Sequence, residues 1–231
     1  TAVLAINETG EIVVLAALRL GPLGPTVDAI YRWDVAHGLR LVALANDPEP
    51  FGLSSIQGAE LGEGGHVVFT NDWSWTLFLQ SESSGVIEIV RPGDPVPGPS
   101  QDLLFRQGGS FAVNALGEVA FSGKAGPEGA GSLDSYGVWE RDVLGALELK
   151  LIEGQPAPHL DGLTIDGAVV LALSDRGELL IEAYLRGPGV VSNPPPSANN
   201  VAFYLLDAEG NFELLVRGAD TLEFAPGEFH P

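Results

Sequence analysis

Two tryptophans lie close together in the segment Asn71 to Trp75, and this pair is the feature of the sequence most typical of a binding site. Trp73 and Trp75, with Asp72 beside them, could form a flat platform for a sugar ring or an anchor for a protein partner, because tryptophan combines a large apolar surface with a polar edge. The alternative is that both rings pack against neighbouring strands. We predict ligand binding at Asp72, Trp73 and Trp75.

Metal chemistry has one candidate in the sequence, a set of aspartates at equivalent proline-rich turns. Asp47, Asp94 and Asp220 occupy these turns, and Gln155 takes the place in the remaining turn. Calcium binds several oxygen ligands, but an aspartate at a proline-rich turn more commonly caps that turn through its carboxylate. We therefore predict no cofactor, with Ca²⁺ as the alternative.

Enzymatic residues form no recognisable pattern. The chain has no cysteine, which excludes disulfides and thiol catalysis. No serine-hydrolase, zinc-protease or phosphate-loop motif is present. A carboxylate pair of the glycosidase kind could exist among the 31 acidic residues, but the sequence singles out none. The four histidines lie at unrelated positions: His37, His66, His159 and His230. We predict a protein that is not an enzyme.

The charge balance restricts the partners. A formal net charge of −20 repels the phosphate backbone of nucleic acids and anionic membrane surfaces. The longest apolar stretch, residues 12–20, is interrupted by Arg19 and is too short to span a bilayer. The chain also lacks methionine, even at position 1, as a secreted protein would after removal of its signal peptide. We expect an extracellular or cell-surface location, no nucleic-acid binding and no membrane insertion.

These residues must be positioned by a repeated element, which starts with a short turn that ends in glycine. The turn recurs every 52 to 60 residues and is followed each time by an apolar run. Glycine accommodates the positive φ of a tight hairpin turn without a Cβ penalty. The four turns are Asn7–Gly10, Gly62–Gly65, Asn114–Gly117 and Ser174–Gly177.

The rest of each repeat predicts three more strand segments. A first strand precedes each turn. After the turn come a second strand, a loop, a third strand with an aromatic residue, a second glycine turn, a fourth strand and a turn that is proline-rich in the first three repeats. Four-stranded antiparallel meanders repeated in sequence are the unit of the β-propeller, so we predict an all-β fold. The aromatic residues should then pack between adjacent blades: Tyr31, Phe78, Trp139 and Tyr204.

One turn also carries a family resemblance. Residues Asn114 to Phe121 match the NxxGxxAF core motif of a family of tandem-repeat bacterial surface proteins. Only the third repeat fits the motif letter for letter, while the fourth retains only Gly177. The meander also resembles the blades of TolB-like propellers. These resemblances imply a secreted surface protein that works through protein–protein contacts.

The repeats divide the chain into one domain, residues 1–220, and a tail, residues 221–231. We expect four blades at about residues 1–50, 51–98, 99–158 and 159–220. A closed four-bladed propeller is the expected arrangement, while a ring shared by two chains and an open array that stacks end to end are the alternatives. Phe224 and Phe229 in the tail could dock on the same chain or on a neighbouring subunit.

The predicted function is therefore surface assembly or protein–protein binding by a secreted repeat protein. Its partner is expected to be a protein, in the first place another copy of the same chain, which would give a homo-oligomer, a filament or a sheath. The alternative is a carbohydrate-binding or carbohydrate-active propeller that recognises a polysaccharide at Trp73 and Trp75.

Overall fold

The fold is known from a computed structural model, in which the described residues form strands and turns. The structure describes residues 2–19, 22, 24–45, 55–71, 75–99, 102–129, 134–191, 199–218, 222–225 and 228–230. No helix occurs within these ranges, so the predicted all-β class is confirmed. It follows that this part of the chain contains no helix long and apolar enough to cross a membrane.

Four antiparallel sheets of four strands each follow one another along the chain, and a short hairpin comes after them. Within every sheet the strands are paired in chain order, as in a meander. The predicted four repeats of a four-stranded antiparallel meander are therefore confirmed. The strands are β1 (Ala2–Ile6), β2 (Ile12–Arg19), β3 (Thr26–Asp34) and β4 (Gly38–Leu44) in the first sheet; β5 (Gly58–Leu61), β6 (Val67–Thr70), β7 (Leu77–Ser81) and β8 (Gly85–Val90) in the second; β9 (Leu104–Val113), β10 (Val119–Gly126), β11 (Ser135–Arg141) and β12 (Leu147–Ile152) in the third; β13 (Thr164–Leu173), β14 (Leu179–Arg186), β15 (Val201–Leu206) and β16 (Phe212–Arg217) in the fourth; and β17 (Leu222–Ala225) and β18 (Glu228–His230) in the hairpin.

The repeated glycine turns join the first and second strands of each sheet. In the third repeat, the N–H of Gly117 donates to the Asn114 carbonyl oxygen at 3.2 Å, and Gly117 has a φ of 82°. A side chain would be strained at this φ, which explains the requirement for glycine. The corresponding glycines of the other three turns also have positive φ, so the predicted hairpin turns are confirmed.

Each sheet packs on the next through an apolar cluster, and this defines two faces. We call the face toward the preceding sheet the front face and the opposite face the back face. The front faces of the second, third and fourth sheets carry the repeated aromatics Phe78, Trp139 and Tyr204, all of which are fully buried. The prediction that these three residues pack between blades is confirmed.

Packing runs from the first sheet to the second, from the second to the third and from the third to the fourth. In the described part of the chain, the fourth sheet does not pack on the first to a comparable extent. Closure of the four sheets into a ring is therefore not confirmed.

Candidate functional site: the two end faces of the sheet stack

The predicted tryptophan site is only partly described. Trp75 lies in the cluster between the second and third sheets, where its ring centroid is 5.4 Å from that of Phe105 and 6.5 Å from that of Phe111. The ring lies against the backbone of Gly108, where a Cβ would overlap it. Asp72 and Trp73 lie outside the described residues. The sugar-platform role of this segment stays a prediction.

The other predicted site residues have equally limited descriptions. Phe224 and Phe229 lie in the paired strands β17 and β18, and their side chains are outside the described part. The Asp94 carboxylate accepts a hydrogen bond from the Arg91 N–H at 3.0 Å, the local capping expected of it. Asp47 and Asp220 are not described. Among described residues, no three His, Cys, Asp or Glu side chains are grouped to hold a metal ion. The absence of a cofactor stays a prediction.

The front face of the first sheet is apolar, and the part of it next to the repeated turn is open. Pairing of the strands places Ile6, Ile12, Trp33 and Leu39 in one row across all four strands. Ile6 is 67% exposed and Leu39 is 60% exposed. Such a continuous apolar row is typical of a buried sheet face and marks an interaction site when exposed.

A second row lies beside the first. It contains Val14, Tyr31 and Leu41, which are paired across β2, β3 and β4. Leu41 is 54% exposed and Tyr31 is only half-buried. Further along β3, Ala29 and Val27 lie on the same face but are buried, so the open area is limited to these two rows. The prediction that all four repeated aromatics pack between blades is thus wrong for Tyr31, because no described sheet precedes the first one.

In the other repeats, the residues equivalent to this face are buried under the preceding sheet. The positions equivalent to Ile12 hold Val67, Val119 and Leu179, and all three have no exposed surface. In each case the preceding sheet covers them. The first sheet has the residues of a covered front face, and no described sheet covers its two apolar rows.

The back face of the fourth sheet is the complementary open surface. Leu180 and Leu205 are paired across β14 and β15, and Phe203 lies on the same face. All three are partly exposed, whereas their equivalents in the second repeat are buried under the third sheet: Val68, Leu77 and Leu79. Among the described sheets, the first therefore has a front face and the fourth a back face on which no other sheet packs.

Polar bonds between the repeated turns accompany this packing. Asn114 is buried, and its side-chain oxygen accepts the N–H groups of Leu116 and Glu118, both at 3.0 Å. Its amide nitrogen donates to the Glu118 carboxylate at 2.6 Å and to the carbonyl oxygen of Ser174, in the next repeat, at 3.0 Å. This asparagine therefore closes its own turn and binds the following one.

The residue after the turn asparagine adds a second bond to the next repeat. The N–H of Glu8 donates to both carboxylate oxygens of Glu63, at 2.8 and 2.9 Å, and the N–H of Ala115 donates to the Asp175 carboxylate at 2.7 Å. We call this series of bonds the turn ladder. The sequence interpretation treated the motif as a local turn and missed the ladder, although the recurrence of an acidic residue at this position was a usable signal.

An ion-pair network joins the first two sheets beside the ladder. Arg32 is almost fully buried; its guanidinium pairs with the Glu11 carboxylate and donates to the Gly65 carbonyl oxygen at 2.7 Å. The Glu82 carboxylate lies 3.6 Å from the same guanidinium. Because a buried arginine is stable only with such partners, this network fixes the second turn against the first sheet.

The neighbouring carboxylate of Asp34 is held in its charged form. Burial alone would raise the pKa of Asp34, but hydrogen bonds and charge from His37, together with the Arg40 guanidinium, outweigh it and lower the pKa to about 2. A carboxylate with so low a pKa is a poor general base near neutral pH. The network therefore fits a structural role.

A cavity of about 240 Å³ lies between the third and fourth sheets. Its lining includes Lys124, whose ammonium lies 4.7 Å from the centre of the Tyr136 ring, and the hydroxyls of Ser110 and Ser122, which are 2.9 Å apart. The Tyr136 ring is partly exposed. An aromatic face, an amine and hydroxyl groups together suit a small polar ligand.

The fold and these surfaces define an all-β repeat protein built of blade-like sheets. The chain belongs to a family of unknown function, DUF7453, whose model matches residues 68–229, more than half of the chain. No curated protein matches the sequence.

Solved structures give distant likenesses. A mutant of the GH43 protein BlXynB from Bacillus licheniformis is 12% identical at a TM-score of 0.33; the match covers 91% of this chain, which spans only 42% of that protein. Virginiamycin B lyase from Staphylococcus aureus is 10% identical at a TM-score of 0.32, and the match covers 94% of this chain and 85% of the lyase. At such TM-scores, neither likeness carries an argument about function.

Proposed function

We propose that this protein is a non-enzymatic repeat scaffold that works by binding proteins at the cell exterior and by assembling with them. The observation that carries the proposal is the open front face of the first sheet. Two cross-strand apolar rows lie there, with Leu39 and Leu41 more than half exposed. Exposed apolar faces of this kind mark protein–protein contacts, because they bind partners through the same burial that stabilises a core.

The remaining features support a scaffold role. The carboxylates of the described ion-pair network face guanidinium groups, which favours structure over acid–base chemistry. The net charge of −20 suits solubility outside the cell and disfavours nucleic-acid partners. The secreted location remains an expectation from the sequence and from the resemblance to tandem-repeat surface proteins.

The test measures association while the front face is changed. Light scattering coupled to gel filtration should find wild-type particles well above the chain mass of 24.2 kDa. Leu39→Lys should abolish this association by placing a charge in the apolar row. Leu144→Lys is the matched control, because Leu144 is 90% exposed in a turn of the third sheet and should tolerate the change. A wild-type mass of one chain over the whole concentration range would contradict the proposal.

Carbohydrate binding is the second candidate function, and the cavity between the third and fourth sheets favours it. Tyr136 presents an aromatic ring beside Lys124 and the serine hydroxyls, and such a set of groups suits stacking on a sugar ring and hydrogen bonding to it. Titration with polysaccharide fragments should then change the tryptophan or tyrosine fluorescence, and Tyr136→Ala should remove the effect. The segment with Trp73 and Trp75 is tested in the same assay by Trp73→Ala.

A further inference from the structure

We infer that the partner of the open front face is the back face of the fourth sheet in a second copy of this chain, so that copies join head to tail. The inference rests on the proposed function and specifies its partner and its interface. Such a contact is heterologous: the first sheet of one copy follows the fourth sheet of another, as the second sheet follows the first within a chain.

The apolar faces support this pairing. Inside the chain, every contact between sheets joins a back face to a front face, for example Ala120 and Val138 of the third sheet with Leu179 and Tyr204 of the fourth. In the described part of the chain, the two faces without a covering sheet are one front face and one back face. The back face presents Leu180, Phe203 and Leu205, whose apolar side chains would cover Tyr31 and its neighbours in the next copy.

The turn ladder has matching free ends. In the described bonds, an N–H in one turn donates to the carboxylate at the same position in the next turn, as the Ala115 N–H does to Asp175. The Asp175 N–H, at the last turn, and the Glu8 carboxylate, at the first, have no hydrogen-bond partner among the described residues. A second copy joined head to tail would bring these two groups together and continue the ladder.

A third polar contact points the same way. The ring nitrogen of Trp139 donates to the Pro97 carbonyl oxygen at 2.9 Å, and the Tyr204 hydroxyl donates to the Pro158 carbonyl oxygen at 3.0 Å. In both cases the repeated aromatic reaches the turn that ends the preceding repeat. Tyr31 holds the equivalent position in the first sheet, which no described turn precedes, so its hydroxyl remains available to a neighbouring copy.

A second copy fits these features better than an unrelated protein does. The front face and the free ladder end both fit a partner that carries the back face and the glycine turn of this repeat. The fourth sheet offers both, and within the chain it does not pack comparably on the first sheet in the described part. Head-to-tail contact satisfies both ends of every copy at once.

The experiment mixes two variants that are each blocked at one end. Leu39→Lys blocks the front face and Phe203→Lys blocks the back face, because the equivalents of Phe203 in the three covered back faces are all buried and apolar. Leu144→Lys controls for the added charge. Each blocked variant should be a monomer by light scattering, with at least about a tenfold rise in its dissociation constant for self-association. Their mixture should form a one-to-one dimer, because each variant retains the end that the other one has lost.

The outcomes separate this inference from the proposed function. If Phe203→Lys still associates and only Leu39→Lys is monomeric, then front faces bind each other or another surface: the inference is wrong, and the proposed function stands. If the wild type is monomeric at every concentration, both are wrong. Circular dichroism of each variant confirms folding before the masses are compared.

A cross-linking measurement keeps the test independent of the lysine variants. The chain contains no cysteine, so Glu8→Cys and Asp175→Cys each introduce one thiol at an end of the ladder. Under mild oxidation, a mixture of the two proteins should give a disulfide-linked dimer in higher yield than either protein alone, because the head-to-tail contact pairs these positions. Equal yields in all three samples would overturn the inference.

Discussion

Replacement of Asn114 by alanine tests whether the turn motif binds repeats together or only closes its own hairpin. Asn114 is 2% exposed and its side chain makes four hydrogen bonds. Two of them close the turn, one reaches the Glu118 carboxylate, and one reaches the Ser174 carbonyl oxygen in the next repeat. Alanine removes all four and leaves the Glu118 N–H without its partner.

The expected loss follows from counting these bonds. A turn-capping side chain contributes about 1 kcal/mol, and each further buried bond contributes about 0.5–1.5 kcal/mol, or more when one partner is charged. We therefore expect Asn114→Ala to lower the free energy of unfolding by about 3 kcal/mol. In a chain of this size, that loss corresponds to a fall in Tm of about 6–12 °C.

Asp142 provides the matched control. Its carboxylate accepts the N–H groups of Leu144 and Ala146, at 2.9 and 2.8 Å, with the same spacing as in the Asn114 turn but without a bond to another repeat. Asp142→Ala should therefore cost only about 1 kcal/mol. Urea unfolding followed by circular dichroism measures both variants. Equal losses would refute the reasoning, because they would show that the bond between repeats contributes nothing.

Three further predictions follow from single residues. Gly62→Ala should destabilise the fold by more than about 2 kcal/mol in the same urea assay, because the new Cβ would lie 2.5 Å from the Asn114 carbonyl oxygen. Gly58→Ala is the control and should be nearly neutral, because its Cβ would make only an ordinary contact at 3.5 Å. Burial lowers the pKa of His66, and the nearby Arg32 guanidinium lowers it further. The unfolded chain therefore binds the proton more tightly than the folded chain, and the free energy of unfolding should fall as the pH drops below about 6.5. His66→Gln should reduce this pH dependence. Burial raises the pKa of Tyr204 to about 12, so in a spectrophotometric titration its phenol should ionise at a higher pH than that of an exposed tyrosine. Tyr204→Phe should lower the free energy of unfolding by about 1 kcal/mol, because it removes the hydrogen bond to the Pro158 carbonyl oxygen.

The repeat architecture was predictable because its causes are local. Gly117 and its three equivalents have positive φ, which only the turn itself requires, and the sequence shows them at regular spacing. Strand alternation and the aromatic positions follow from the two-residue period of a strand. Phe78, Trp139 and Tyr204 therefore lie in the core as expected.

The candidate site was less predictable, since it depends on which faces receive a cover. Tyr31 looks like the other repeated aromatics in the sequence, yet it is half-buried, because no described sheet packs on its face. The bond from Asn114 to Ser174 joins residues 60 positions apart, and no local rule indicates it. The segment with Trp73 was predicted to bind a ligand because it contains two tryptophans, but composition does not show which surface a side chain contacts.

The sequence by itself determined the all-β class, the number of repeats and the order of strands, because hairpin turns and strand periodicity act over a few residues. The tertiary structure alone decided which apolar faces are covered and which remain open. Burial depends on where a whole sheet lies relative to its neighbour, and that arrangement joins residues far apart in the chain. The uncovered front face around Leu39 and the uncovered back face around Leu205 are therefore properties of the stacked sheets.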